Sequence, residues 1–239
     1  MTIRGVLFDF SGTLFRGEPV DAWLSAALDA CAITLPEAEL ARYAMRLEAA
    51  GALPSGPHPP RVPAHLAQEW SVRDTSGDLH RRAYTGLSRT VELPDPRLYD
   101  ALYDRHMTPA AWRPYGDARP VLAALRERGI GVGVVSNIGW DLRPVFRAHG
   151  LDDFVDAYAL SFEHGAQKPE ERLFRVACEA LGQAPEEVLM VGDNRRADGG
   201  AAALGCAVHF VDPLPVEQRP DALRAVLALA AGDTGPGRG

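Results

Sequence analysis

Residues 6–15 read VLFDFSGTLF. The apolar half of this segment predicts a buried strand over residues 4–9, because strands covered on both faces are nearly continuous hydrophobic runs. The strand ends in Asp9, and Gly12 and Thr13 then predict a tight turn. A carboxylate placed at the end of a buried strand is a candidate nucleophile. Two residues after Asp9, where a second carboxylate would be useful, the chain has Ser11.

From about residue 114 onward, strand and helix patterns alternate. Strands are predicted over 130–136, 156–161, 187–193 and 206–212, and the segments between them carry apolar residues at helical spacing. Such alternation predicts right-handed βαβ units with helices on both faces of a parallel sheet. The expected fold class is therefore α/β, with a doubly wound, Rossmann-like parallel sheet as its core.

The segment directly after the first strand has a different pattern. Four stretches in it show helical spacing, and the Pro-rich stretch LPSGPHPPRVPA between the second and third of them cannot be helical. We therefore expect a helical domain inserted into the α/β core. The predicted boundaries are 1–16 and 110–231 for the core, 17–109 for the insertion, and 14–18 and 108–115 for the two hinges.

The composition excludes several classes of protein. The chain has 239 residues and a formal charge of −7 with no clustered basic face, which argues against nucleic-acid binding. No apolar stretch approaches the ~20 residues of a membrane span, and the first residues do not resemble a signal peptide. The widely spaced Cys31, Cys178 and Cys206 indicate reduced thiols. We expect a cytoplasmic monomer or homodimer without membrane partners, and a disordered tail over 232–239.

Polar side chains follow four of the predicted strands. In chain order they are Asp9, the pair Ser136 and Asn137, Lys168, and Asp193 with Asp198 five residues later. Ligands of open parallel sheets bind at the carboxyl ends of the strands, so these side chains predict a site. Taken singly, each has an ordinary explanation, since Asp and Ser often cap helices or turns and lysines are usually solvated. Lys168 is nevertheless the only lysine in the chain.

The motifs DFSGT (9–13), VVSN (134–137), QKP (167–169) and VGDNRRAD (191–198), in this order, resemble those of the haloacid dehalogenase-like (HAD) hydrolase superfamily. The resemblance covers about 1–16 and 110–212. The inserted helices lie where subfamily I members carry a helical C1 cap.

The resemblance implies a role for each motif residue. Asp9 would attack phosphorus and form an aspartyl-phosphate, with Lys168 offsetting the negative charge. Ser136 and the Asn137 amide would bind phosphoryl oxygens, and Gly12 and Thr13 would shape the turn beside the substrate. The implied ligands of Mg²⁺, which prefers oxygen donors, are the carboxylate of Asp9, the main-chain carbonyl of Ser11, and Asp193, with Asp198 as a further ligand or a partner of the ligands.

Ser11 departs from the pattern of the family's phosphatases, which have at this position an Asp that protonates the leaving group. A serine hydroxyl does not exchange protons readily near neutral pH, and loss of a general acid typically costs about 10²–10⁴-fold in rate. Phosphonoacetaldehyde hydrolases also lack the Asp, but they need a cap lysine, which is absent here. P-type ATPases need membrane spans.

Three functions stay open. The first is a Mg²⁺-dependent phosphohydrolase acting on a small phosphorylated metabolite, which the retained Asp193 and Asp198 favour. The others are a metal-independent 2-haloacid dehalogenase and a weakly active or inactive relative that binds or regulates. With Ser11 in place of the Asp, several routes stay open: a leaving group that needs no proton, such as that of an acyl or aryl phosphate, a proton from the substrate or from a cap residue such as His58, or transfer of the phosphoryl group to another acceptor. Further candidate substrate contacts in the cap are Arg16, Trp23, Trp70, Arg81, Arg82 and Tyr84.

Overall fold

A computed structural model describes residues 2–231 of the chain, so the predicted disordered tail lies outside the described residues. Strands occupy Gly5–Phe8 (β1), Phe15–Gly17 (β2), Trp112–Pro114 (β3), Gly131–Ser136 (β4), Ala157–Leu160 (β5), Val188–Gly192 (β6) and Ala207–Phe210 (β7). Helices occupy Val20–Ala30 (α1), Glu37–Ala49 (α2), Ala67–Ser71 (α3), Gly77–Ser88 (α4), Arg97–His106 (α5), Ala118–Glu127 (α6), Arg143–Ala148 (α7), Ser161–His164 (α8), Glu171–Leu181 (α9), Ala201–Leu204 (α10) and Arg224–Ala230 (α11).

Five strands form one parallel sheet in the order β5-β4-β1-β6-β7. The chain runs from β1 outward through β4 to β5 and then returns to β6 on the other side of β1. The direction of winding therefore switches between β1 and β6, and a crevice opens there at the carboxyl ends of the strands. This topology confirms the predicted doubly wound α/β fold.

Alternate residues of β1 face opposite sides of the sheet, as the two-residue period of a strand requires. Val6 and Phe8 belong to the apolar cluster that includes Val121 and Leu122 of α6, whereas Leu7 belongs to the cluster that includes Phe174 of α9. All three strand residues are fully buried. Burial on both faces explains why the sequence of β1 is almost uniformly apolar.

The helices α1–α5 enclose an apolar cluster of their own, which includes Trp23, Leu47, Leu87 and Leu102. The two chain segments that lead into and out of these helices, β2 and β3, pair as a two-stranded antiparallel ribbon. The sequence did not predict this ribbon, because strands of three residues are too short to show a period. The division into a core and an inserted domain is compatible with this arrangement and stays a prediction.

The segment 195–205, between the predicted strands 187–193 and 206–212, was expected to be one helix, and the structure corrects this. The Asn194 side chain accepts hydrogen bonds from the backbone N–H groups of Arg196 and Ala197, and the Asp198 carboxylate accepts one from that of Asn194. Such local bonds compete with helix formation. The segment therefore begins as turns and a 3₁₀ turn, and only residues 201–204 are α-helical.

Two broader expectations can be compared with the described residues. Between residues 2 and 231, no helix combines the length and the apolar character needed to cross a bilayer. The three cysteines are free thiols, as predicted, and the sulfur atoms of Cys178 and Cys206 lie 4.0 Å apart in the core.

Phe15 provides a test of the packing around the turn that joins β1 to β2. Its ring is fully buried, with ring centroids 5.1 Å from Phe10 and 5.0 Å from Phe146. Phe15→Ala would leave a cavity and is expected to lower the free energy of unfolding by about 3–5 kcal/mol. Chemical denaturation measures the change, and Leu229→Ala, at a side chain that is 37% exposed, is the control. Equal effects of the two variants would contradict the packing described.

Candidate active site

The loop after β1 places the Asp9 carboxylate at the crevice. The backbone N–H of Asp9 donates to the carbonyl of Val191 in β6 at 2.9 Å, which extends the strand pairing by one residue. The Phe10 carbonyl then accepts bonds from the N–H groups of Leu14 and Phe15, and the chain turns back on itself. Gly12 has φ of +77° in this turn, a conformation that strongly favours glycine.

The Lys168 ammonium connects two of the carboxylates. Its Nζ donates to Asp9 Oδ1 at 2.8 Å and to Asp198 Oδ1 at 2.6 Å, and the lysine side chain is 2% exposed. The other oxygen of Asp198 accepts the backbone N–H of Asn194 at 2.8 Å. Each oxygen of Asp198 therefore accepts a hydrogen bond from the protein, so Asp198 suits the role of a partner of the ligands better than that of a direct metal ligand.

The side chain of Asn137 holds the loop that carries Lys168. Its Oδ1 accepts the Lys168 N–H at 2.6 Å, and its Nδ2 donates to the Lys168 carbonyl at 3.0 Å. Any contact of Asn137 with a phosphoryl oxygen would therefore come from its main-chain N–H. Ser136 ends β4, is 3% exposed and lines the same cavity as Asp9.

Three carboxylates converge at the crevice. One oxygen each of Asp9, Asp193 and Asp198 lies within 4.8 Å of the others. Burial raises the pKa of Asp9 to about 8, with the charges of Asp198 and Asp193 adding to the rise and Lys168 opposing it. Burial and Asp198 likewise raise the pKa of Asp193. Because one ammonium faces three carboxylates, the site has an excess of negative charge.

The donor set fits a hard divalent cation. Carboxylate oxygens, together with a main-chain carbonyl such as that of Ser11, are the ligands that Mg²⁺ prefers. Gly12 leaves room for this arrangement, since a Cβ atom there would lie 2.5 Å from Asp193 Oδ2. Asp9, Asp193 and the Ser11 carbonyl would hold the ion, whose charge would offset the excess described above.

Arg219 is a further residue of the site region, which the sequence analysis did not identify. Its guanidinium is 3% exposed and donates to the carbonyls of Gly12, at 2.6 Å, and of Thr13. It also stacks on the Tyr115 ring, with its central carbon 3.1 Å from the ring centroid. Arg219 thus fixes the turn that follows Asp9. One arginine among many carries no local signal of this contact across 207 residues of sequence.

Thr13 lies outside the lining of the cavity. It is fully buried, and its carbonyl is bonded to Arg219. The structure therefore assigns it to the support of the turn, whereas Ser11 and Gly12 line the cavity itself.

A cavity of about 760 Å³ lies between the strand ends and the inserted helices. Three of the candidate cap contacts line it, namely Arg16, Trp70 and Tyr84, and so does His58. The other three do not: Trp23 donates to the Leu102 carbonyl inside the cap cluster, Arg81 pairs with Asp100 and Asp104, and Arg82 pairs with Glu69. Cap residues that the sequence did not single out also line the cavity: Arg73, Asp74, His80 and His106.

Comparison with known proteins defines the class. A family model described as haloacid dehalogenase-like hydrolase matches residues 3–205. A phosphoserine phosphatase of Thermus thermophilus is 39% identical over 113 residues, which are 45% of each chain. The chain thus spans about half the length of this curated relative.

Solved structures of two activities share the fold. A HAD phosphatase from Thermococcus onnurineus has a TM-score of 0.57 and 25% identity, covering 88% of this chain and 86% of that one. An L-2-haloacid dehalogenase from Xanthobacter autotrophicus has a TM-score of 0.62 and 25% identity, covering 98% of this chain and 85% of that one.

The parallel sheet carries a carboxylate at its switch point, beside a buried lysine and two further acids. The chain belongs to the haloacid dehalogenase-like hydrolase family.

Arg219→Ala tests whether Arg219 stabilises the turn that follows Asp9. Loss of the guanidinium leaves the buried carbonyls of Gly12 and Thr13 without their donor, so the free energy of unfolding is expected to fall by about 2–3 kcal/mol. Denaturant unfolding gives the change, with Arg224→Ala at an exposed position as the control. An unchanged midpoint for Arg219→Ala would show that the turn holds without this residue.

Proposed function

We propose that this hydrolase is a Mg²⁺-dependent phosphohydrolase that acts on a small phosphorylated metabolite through an aspartyl-phosphate on Asp9. The convergence of Asp9, Asp193 and Asp198 near Lys168 supports the proposal most directly, because these carboxylates would form a cation site beside the proposed nucleophile. Attack on a haloacid carbon needs no such site. The phosphatase among the relatives agrees with this choice.

The residues would act as follows. An oxygen of Asp9 attacks the phosphorus, and the bond to the leaving group breaks. Lys168 orients the Asp9 carboxylate and opposes the rise in its pKa, while the Ser136 hydroxyl would donate to a phosphoryl oxygen. Bound Mg²⁺ would neutralise negative charge on the phosphoryl group and on the carboxylates. Water then attacks the phosphorus of the aspartyl-phosphate and regenerates Asp9.

The shape of the site favours a small substrate. Its volume of about 760 Å³ lies within the usual range for small-molecule pockets, roughly 300–1,000 Å³. The cap helices cover the strand ends, so a bound substrate would be shielded from bulk water.

Ser11 favours a second candidate, a 2-haloacid dehalogenase. Displacement of a halide from carbon by Asp9 needs no proton donor, so the missing carboxylate would cost nothing in that reaction. The dehalogenase structure that shares the fold agrees with this alternative. A weakly active binding protein is the third reading, and the assays below separate all three.

Metal dependence distinguishes the candidates. Hydrolysis of 4-nitrophenyl phosphate is expected in the presence of Mg²⁺. EDTA should abolish it by removing the cation, and Asp9→Asn should abolish it by removing the nucleophile. Asp153→Asn, at an exposed position, is the matched control and should keep full activity.

Two other outcomes would contradict the proposal. Chloride release from a 2-chloro acid that resists EDTA would identify a dehalogenase. Turnover in neither assay, with metabolite binding retained, would identify a binding protein.

Gly12→Ala tests the fit of the cation site. The added methyl group would collide with the Asp193 carboxylate and strain the turn, so Mg²⁺ is expected to bind at least about tenfold more weakly by calorimetry. Gly116→Ala is the control, since a Cβ atom there meets nothing within 4 Å. Wild-type affinity in Gly12→Ala would mean that Asp193 is not a ligand.

A further inference from the structure

The proposed function leaves one chemical requirement unmet. When Asp9 attacks phosphorus in line, the leaving oxygen departs on the opposite side, away from the strand ends. That side of the cavity is formed by the cap. An alkoxide is a poor leaving group, so its oxygen needs a proton as the bond to phosphorus breaks. Ser11 has no acidic group to supply that proton.

Asp74 lies in the part of the cap that touches the core. It sits in a 3₁₀ turn, Arg73–Thr75, which precedes α4. On one side of this turn the Ser71 carbonyl accepts a bond from Gln167 Nε2 at 2.7 Å, next to Lys168. On the other side Gly77 approaches the loop after β4 so closely that a Cβ atom on it would be 2.8 Å from the Gly139 carbonyl.

The surroundings of Asp74 hold its carboxyl group in place. The residue is 3% exposed and lines the cavity. Arg73 Nη2 lies 3.4 Å from its Oδ2, and His80 Nε2 lies 3.8 Å from its Oδ1. Arg73 is itself fixed, since it stacks over the Trp70 ring and donates to the Trp70 carbonyl at 2.9 Å.

The acidity of Asp74 suits proton transfer. Burial raises its pKa, and the positive charges of Arg73 and Lys168 oppose the rise. A carboxyl group with a raised pKa is protonated in a larger fraction of molecules near neutral pH. The carboxylate left behind after proton transfer would be stabilised by Arg73, which is always charged.

The other ionisable cap groups on the cavity are poorer donors. Burial lowers the pKa of His106 to about 3 and that of His80 well below its usual value, so both rings stay neutral. Burial, with the charge of Arg73, also lowers the pKa of His58. Burial raises the pKa of Tyr84, which makes its hydroxyl a weaker acid.

From this arrangement we propose that Asp74 is the catalytic acid, and then the base, that takes the place of the missing carboxylate at position 11. The inference rests on the proposed phosphohydrolase function and goes beyond it, since it assigns a cap residue to the reaction.

The proton and the bonds balance in two steps. In the first, the Asp9 oxygen bonds to phosphorus, the bond from phosphorus to the leaving oxygen breaks, and the Asp74 proton passes to that oxygen to give an alcohol. In the second, water attacks the aspartyl-phosphate while the Asp74 carboxylate takes a proton from it. Inorganic phosphate leaves, Asp9 is regenerated, and Asp74 is protonated again.

Leaving-group dependence tests the role. In Asp74→Asn, kcat/KM for an alkyl phosphate such as glycerol 3-phosphate is expected to fall about 10²-fold or more, and that for 4-nitrophenyl phosphate less than threefold. The nitrophenolate needs no proton to leave, so a merely structural defect would lower both rates alike. Asp78→Asn, at an exposed position on α4, is the matched control.

Restoring a carboxylate at position 11 provides a second measurement, which does not depend on how well Asp74→Asn packs. In the Asp74→Asn background, Ser11→Asp is expected to raise kcat/KM for the alkyl phosphate at least about tenfold above that of Asp74→Asn. In the wild-type background, Ser11→Asp is expected to change this value little. Equal loss on both substrates in Asp74→Asn, or a selective gain on alkyl phosphates from Ser11→Asp alone, would overturn the role of Asp74. Absence of all phosphatase activity in the wild type would instead overturn the proposed function itself.

Discussion

The buried Lys168 ammonium, bonded at once to Asp9 and Asp198, is the interaction on which the site depends. A lysine that is 2% exposed keeps its charge only because opposite charges lie in contact with it. The same contact orients the Asp9 carboxylate and connects the loops after β1 and β6 to the loop that carries Lys168. Asn137 completes the arrangement by holding the backbone of Lys168 from the end of β4.

The excess of carboxylates over ammonium explains why the site suits a cation. Burial and mutual repulsion raise the pKa values of Asp9 and Asp193, so the protein alone does not balance the charge. Gly12 permits the close approach of Asp193, and Arg219 holds the turn in which Gly12 lies. The stability of the turn and the electrostatics of the site are therefore coupled.

In the proposed mechanism, the inserted helices would contribute a catalytic acid as well as cover for the site. The segment around Asp74 is fastened to the core at both ends, close to Lys168 and to the loop after β4. Asp74 would supply the acid that position 11 lacks, because the leaving side of a substrate attacked by Asp9 would face the inserted helices. With Asp74 as the acid, the reaction would be the same as with a carboxylate at position 11. The proton donor would then lie among the inserted helices and not in the loop after β1.

The sequence by itself determined the sheet, most of its flanking helices, the strand-end positions of Asp9, Ser136 and Asp193, and the position of Lys168 in the loop after β5. Burial and local turns leave periodic patterns and marked endings in a sequence, which is why these features could be predicted. The prediction for residues 195–200 was wrong, because hydrogen bonds between side chains and the backbone replace the expected start of a helix there. Only the tertiary structure revealed Arg219 beneath the turn, Asp74 on the cavity and the β2–β3 ribbon. Those contacts join residues far apart in the chain, and no local pattern encodes which distant partner a single polar side chain will meet.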